Sequence, residues 1–129
     1  MPRYVILLHE LPPGHALETA RGTHWDLMLE TDQGLRTWAL LSEPAGGAAI
    51  ESEQLPDHRP AYLDYEGPVS GNRGQVSRWD TGEYEIESQS DEALRITLRG
   101  QRGLATARLE KAEGTHFWRV SFSADPTSG

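Results

Sequence analysis

The chain is a succession of short alternating or apolar runs separated by turn residues. Tyr4-Val5-Ile6-Leu7-Leu8-His9 is β-rich and too short for a helix, and Pro12-Pro13-Gly14 ends it. His24-Trp25-Asp26-Leu27-Met28-Leu29-Glu30 alternates strictly. On a strand, His24, Asp26, Met28 and Glu30 share one face, and Trp25, Leu27 and Leu29 share the other. Asp32-Gln33-Gly34 predicts a hairpin turn, with Leu35 to Leu40 as the return strand. Pro44 to Pro60 is a polar, proline-bounded connection long enough for a short helix. Gln75 to Trp79 and Glu83 to Ile86 flank Asp80-Thr81-Gly82, a second turn signal. Leu94, Ile96 and Leu98 alternate with Arg95, Thr97 and Arg99; Thr106 to Glu110 and Phe117 to Phe122 complete the set. At least seven short strands without a long amphipathic helix predict an all-β fold, an antiparallel barrel or sandwich. No repeat or linker divides the chain, so a single domain is expected over residues 4–122, with 123–129 as a flexible tail.

Composition narrows the function classes. The 129 residues contain no cysteine, which excludes a disulfide scaffold, a thiolate metal site and a thiol nucleophile. Any metal must be held by His, Asp and Glu. Net charge is −8, and Lys111 is the only lysine among twelve basic residues. Such a chain does not coat nucleic acid through diffuse charge, but arginine suits a small, focused phosphate site. No run is long enough to span a bilayer, and the apolar N-terminal segment is too short for a signal core. A cytoplasmic location is expected.

His24 and Asp26 stand two residues apart on one strand face, close enough to reach one metal ion or one phosphate. His9 ends another apolar strand. His58 lies in the proline-flanked loop Pro56-Asp57-His58-Arg59-Pro60, with Tyr62 four residues on. Imidazole with carboxylate suits Mn, Zn or Fe. The other features read as structure. Trp25, Trp38, Trp79 and Trp118 are expected in the core, His116 on the surface, and Gly71 to Gly74 in a hairpin. Glu83, Glu85 and Glu87 should form a solvated strand face.

At this point the chain resembles a known family. His9 with His24 to Glu30, then Gly34-Leu35-Arg36-Thr37-Trp38-Ala39, is similar to the 3′-phosphoesterase module of bacterial DNA ligase D. So are the block Asp57 to Gly67, the block Gly74 to Tyr84, and Ile96 to Gly100 with Trp118. The resemblance covers about residues 4 to 122 in unbroken order. It implies a compact β-barrel with short flanking helices. It also implies a divalent metal, manganese above zinc, and removal of 3′-terminal ribonucleotides or 3′-phosphates from DNA. The family's metal ligands map onto His9, His24 and Asp26, its phosphate-contacting histidine and tyrosine onto His58 and Tyr62, and its strand-closing glutamate onto Glu30. DNA repair proteins follow as partners, and no membrane.

Two departures stand out. Met28 occupies the position of the family's phosphate-gripping arginine, and methionine cannot usefully hydrogen-bond an anion. Fourteen residues, Glu10 to Thr23, separate His9 from His24, which implies an inserted loop. His15 and Glu18 are therefore rivals to His9 as first ligand. Arg21, Arg36, Arg59 and Arg73 are candidates for the missing cation, with Arg36 favoured because it follows the hairpin turn. Small stand-alone proteins similar to the module carry the Trp-Asp-Leu-Met-Leu-Glu form, so the sequence resembles that branch. The expected function is a metal-dependent 3′-phosphoesterase. The alternatives are a catalytically weakened metal- or DNA-end-binding module in a repair assembly, and an unrelated small-ligand barrel.

Overall fold

A computed structural model describes residues 2–11, 22–44, 47–69, 74–112 and 117–124. The strands are β1 (Arg3–Glu10), β2 (His24–Thr31), β3 (Gly34–Leu40), β4 (Ile50–His58), β5 (Gly67–Pro68), β6 (Gln75–Gln89), β7 (Ala93–Gly100), β8 (Gly103–Lys111) and β9 (Phe117–Ala124). They pair in the order β1-β2-β3-β4-β9-β8-β7-β6, and β6 returns to pair with β1. The result is a closed antiparallel barrel of eight strands, which leaves no edge within the ring. The two-residue β5 adds to β6 outside it.

Alternation decides which side chains fill the barrel. Tyr4, Ile6, Leu27, Leu29, Trp38, Leu40, Ile96, Leu98, Leu109 and Val120 form its buried interior. A second apolar cluster lies on the outer face, made of Val5, Leu7, Met28, Leu35, Leu63 and Val76. Leu63 comes from the 3-10 helix Pro60–Leu63, which places Tyr62 against the same patch. β1 is thus covered on both sides, which is why Tyr4 to Leu8 is apolar throughout instead of alternating.

Several expectations change. Among the described residues the only helix is that 3-10 turn, so the flanking helices shrink to one. The segment before it is strand β4, not a helix-bearing connection. Its proline, Pro56, sits at a register shift opposite Leu35 to Thr37, where a missing N–H costs no ladder bond. Asp80-Thr81-Gly82 is not a turn either: β6 runs unbroken through it. Gly82 is there because a Cβ would stand 2.0 Å from the Arg99 carbonyl oxygen on β7. β9 extends to Ala124, two residues into the segment expected as tail. Trp38 and Trp118 are core, whereas Trp25 and Trp79 pack against it half-buried. His116 and most of the Gly71 to Gly74 segment lie outside the described residues.

Asp80 instead belongs to a buried bond network. The Tyr4 hydroxyl donates to its Oδ2 at 2.7 Å, and the backbone N–H groups of Thr81 and Arg102 donate to Oδ1 at 2.9 and 3.1 Å. Burial, and then the bond to Asp80, push the Tyr4 phenol up. Tyr4→Phe should cost about 1–3 kcal/mol, because it strips a donor from a buried carboxylate. Urea unfolding with an unchanged m-value would show it; a loss below the resolution of that titration would mean the bond is replaceable by water.

Candidate metal centre

β1 and β2 pair so that His9 lies opposite His24 and Leu7 opposite Asp26. Opposed residues share a face. His9, His24 and Asp26 therefore converge on the outer face of the barrel. One ligand atom from each lies within 4.8 Å of the others. The two imidazole rings are 4.8 Å apart, centroid to centroid. His24 and Asp26 are each only 4% exposed.

The ring nitrogens have definite roles. His24 Nδ1 lies 2.8 Å from the Gly22 carbonyl oxygen, which can only accept, so Nδ1 carries a proton there. That leaves Nε2 as the nitrogen 3.1 Å from Asp26 Oδ1. His9 Nδ1 is 3.7 Å from Asp26 Oδ2. Despite the short approach, Asp26 Oδ1 is buried with no aligned hydrogen bond. A lone pair on Nε2 facing a carboxylate lone pair is repulsive unless a cation lies between them. A proton or a metal ion meets that demand, and two imidazoles with one carboxylate fit Mn or Zn. A backbone carbonyl orienting the far ring nitrogen is the usual support of a metal-binding histidine. These residues fit a divalent ion.

Burial alone would raise the Asp26 carboxyl, but its contacts with His24 and then His9 outweigh that and hold it at about 2. A depressed carboxyl contributes stability above the unfolded-state value near 3.9 and loses it as pH falls through about 2. In chelator, Asp26→Asn should therefore flatten the acid limb of stability between about pH 4 and 2. Parallel acid-unfolding curves for the variant and the parent would remove that role.

The remaining sequence-predicted residues are spread along the barrel. His58 lies opposite Leu35, toward the far end of β2 and β3 from His24. Its ring meets Tyr62 edge-on at 5.7 Å, and Tyr62 meets Tyr65 at 5.8 Å. His58, Arg59, Tyr62 and Tyr65 line a cleft of about 530 Å³ whose lining does not include the His9, His24 and Asp26 cluster. His58 Nδ1 lies 2.9 Å from the Pro56 carbonyl, so Nε2 is its available nitrogen. Glu30 Oε1 accepts the Arg3 backbone N–H at 2.9 Å. Met28 shares the outer face with Asp26, but it is 1% exposed, inside the apolar cluster with Leu63. Its thioether does not border an open phosphate site. His15 and Glu18 lie outside the described residues.

Arg36 is not brought to this face. The turn at Asp32 and Gln33 has two residues, which pairs Thr31 with Gly34 and Leu29 with Arg36. A three-residue turn would have set Arg36 opposite Glu30, on the His24 face. The one-residue difference sends Arg36 to the inner side. Sequence reasoning also missed Arg78. On β6 it lies opposite Leu7, which itself lies opposite Asp26, so Arg78 shares the outer row with His9, His24 and Asp26. It is exposed, and its signal was hidden because the β1–β6 register is a long-range pairing.

The family model of the DNA ligase D 3′-phosphoesterase domain matches residues 15–111, about three-quarters of the chain. No curated protein matches it. The matched span contains β2, β3, β4 and the 3-10 helix, and so His24, Asp26, His58 and Tyr62; β1, which supplies His9, precedes it. With this match over most of a closed β-barrel, the chain belongs to the DNA ligase D 3′-phosphoesterase domain family.

Proposed function

We propose that the protein is a metal-dependent phosphoesterase acting on nucleic-acid 3′ ends, with His9, His24 and Asp26 as ligands. Manganese is the preferred ion and zinc the alternative. The observation that carries this reading is the convergence of three ligand atoms around a buried carboxylate oxygen that lacks an aligned partner. A bound divalent ion supplies Lewis acidity toward a phosphoryl oxygen and lowers the pKa of water.

The chain's own residues do the rest. In its imidazolium form, with Nδ1–H held by the Pro56 carbonyl, His58 delivers the Nε2 proton to the leaving oxygen of a 3′ end that spans from the ligand cluster to the His58 cleft. The Tyr62 hydroxyl donates to a phosphate oxygen. Arg78 offers the charge-assisted contact that Met28 cannot. The test is a primer–template bearing a 3′-phosphate or a 3′-terminal ribonucleotide, with and without Mn²⁺. Metal-stimulated release of phosphate or nucleoside supports the reading. Undiminished turnover in chelator would sink it.

His58→Ala should cut turnover by about 10²–10⁴-fold while leaving metal content unchanged. Equal loss of metal would make His58 a ligand. The separation of the His58 and Tyr62 cleft from His9, His24 and Asp26 favours a second reading, a module that holds metal and DNA ends within a repair assembly but turns over weakly. In that case the protein retains a labelled 3′-phosphate primer without releasing phosphate. Among the described residues no helix is long and apolar enough to cross a membrane. Nucleic-acid 3′ ends and repair proteins in the cytoplasm are the partners this reading implies.

A further inference from the structure

The end of the barrel where β2 finishes and β3 begins holds a second concentration of unpartnered donors, on the inner face and away from the metal cluster. Arg36 is half-buried, and its guanidinium carbon lies 5.0 Å from the Trp38 ring centroid. Among the described residues it makes no hydrogen bond or ion pair. Trp38 and Trp118 meet edge-on at 5.5 Å. They are 0% and 2% exposed, and neither buried indole N–H has a partner. A buried donor left unpaired costs about 1–3 kcal/mol, so two beside each other call for an explanation.

The register brings more donors to the same place. Gln54 lies opposite Trp38, and Lys111 opposite Trp118. Gln89 lies opposite the core residue Leu94. These inward positions, with Arg36 and the Trp118 indole, line a polar cleft of about 550 Å³. Asp91, exposed in the β6–β7 turn, is the one carboxylate among the described residues that line it. Arginine and lysine present only donors, and the two amides present both kinds of group. In a protein of net charge −8, this cleft gathers the one lysine and an arginine that has no ion pair among the described residues. Its volume lies in the range of small-ligand sites.

We propose that this inner cleft binds a phosphate group, free or as the phosphomonoester of a mononucleotide. The phosphate oxygens sit on Arg36 and Lys111, the Gln54 and Gln89 amides complete the donor set, and the Trp118 indole forms the floor. The site is independent of the metal cluster: Arg36 and Asp26 project to opposite faces of the barrel wall.

Indole N–H resonances of ¹⁵N-labelled protein, recorded in chelator, provide the test, with inorganic phosphate, AMP and adenosine as probes. The expected result is a saturable shift of the Trp118 indole with phosphate or AMP and none with adenosine. Lys111→Gln, an exposed change that should fold normally, and Arg36→Gln should each weaken binding about tenfold. Asp26→Ala should leave it intact. Equal responses to phosphate and AMP assign free phosphate; a stronger response to AMP assigns the phosphomonoester. Absence of any indole shift up to about 10 mM of either probe, or binding unaltered in Lys111→Gln, would overturn the proposal.

Discussion

Asp26→Ala should lower divalent-metal affinity by at least about a hundredfold and remove metal-stimulated 3′-end turnover with it. Asp26 is the hinge of the cluster: its two oxygens face one histidine each, at 3.1 and 3.7 Å. Without them the imidazoles of β1 and β2 are two neutral ligands with no charge between them, and a hard ion such as Mn²⁺ prefers oxygen. Asp26→Asn separates charge from shape, because the amide keeps one acceptor oxygen and loses the negative charge. Titration calorimetry with Mn²⁺ should show affinity reduced in Asn and lost in Ala. His24→Ala should follow Ala. Wild-type affinity in Asp26→Ala would place the ion on other residues and remove the basis of the proposed activity.

The His9, His24 and Asp26 cluster was half legible in the sequence. Strict alternation over His24 to Glu30 puts His24 and Asp26 on one face, and burial of Leu27 and Leu29 inside the barrel follows from the same pattern. What alternation cannot supply is the partner strand. That His9 lies opposite His24 depends on the β1–β2 register, across a connection whose length has no bearing on spacing in the folded state. Arg36 shows how narrow the margin is: a turn of three residues instead of two would reverse its face. The Asp80-Thr81-Gly82 signal failed for a different reason. Asp80 is stabilised by Tyr4, 76 positions away in the chain, and Gly82 by the close approach of β7. Both demands are tertiary, and they override local turn chemistry. In β4, polar outward residues and a proline concealed a strand whose inward residues, Ile50 and Ser52, are buried.

Met28→Arg should destabilise the fold by about 3–5 kcal/mol and fail to raise activity, because the position is walled off. Read on the strand alone, Met28 shares a face with His24 and Asp26, which would set an arginine there beside the phosphate. In the barrel, Val5, Leu7, Leu35, Leu63 and Val76 close around the thioether, with Tyr62 packed against the group. A guanidinium placed there loses its water without gaining a carboxylate, the arrangement in which a buried charge costs most. To reach solvent it would have to displace Leu63, and with it the 3-10 helix that carries Tyr62 and follows His58. Met28→Leu is the control: a near-isosteric apolar change should cost less than about 1.5 kcal/mol. Urea unfolding of both variants, with phosphate release from a 3′-phosphate primer, separates the outcomes. A stable, more active Met28→Arg would show that the apolar cover opens when substrate binds. Methionine would then be the reason for weak turnover rather than part of the packing that holds Tyr62 in place.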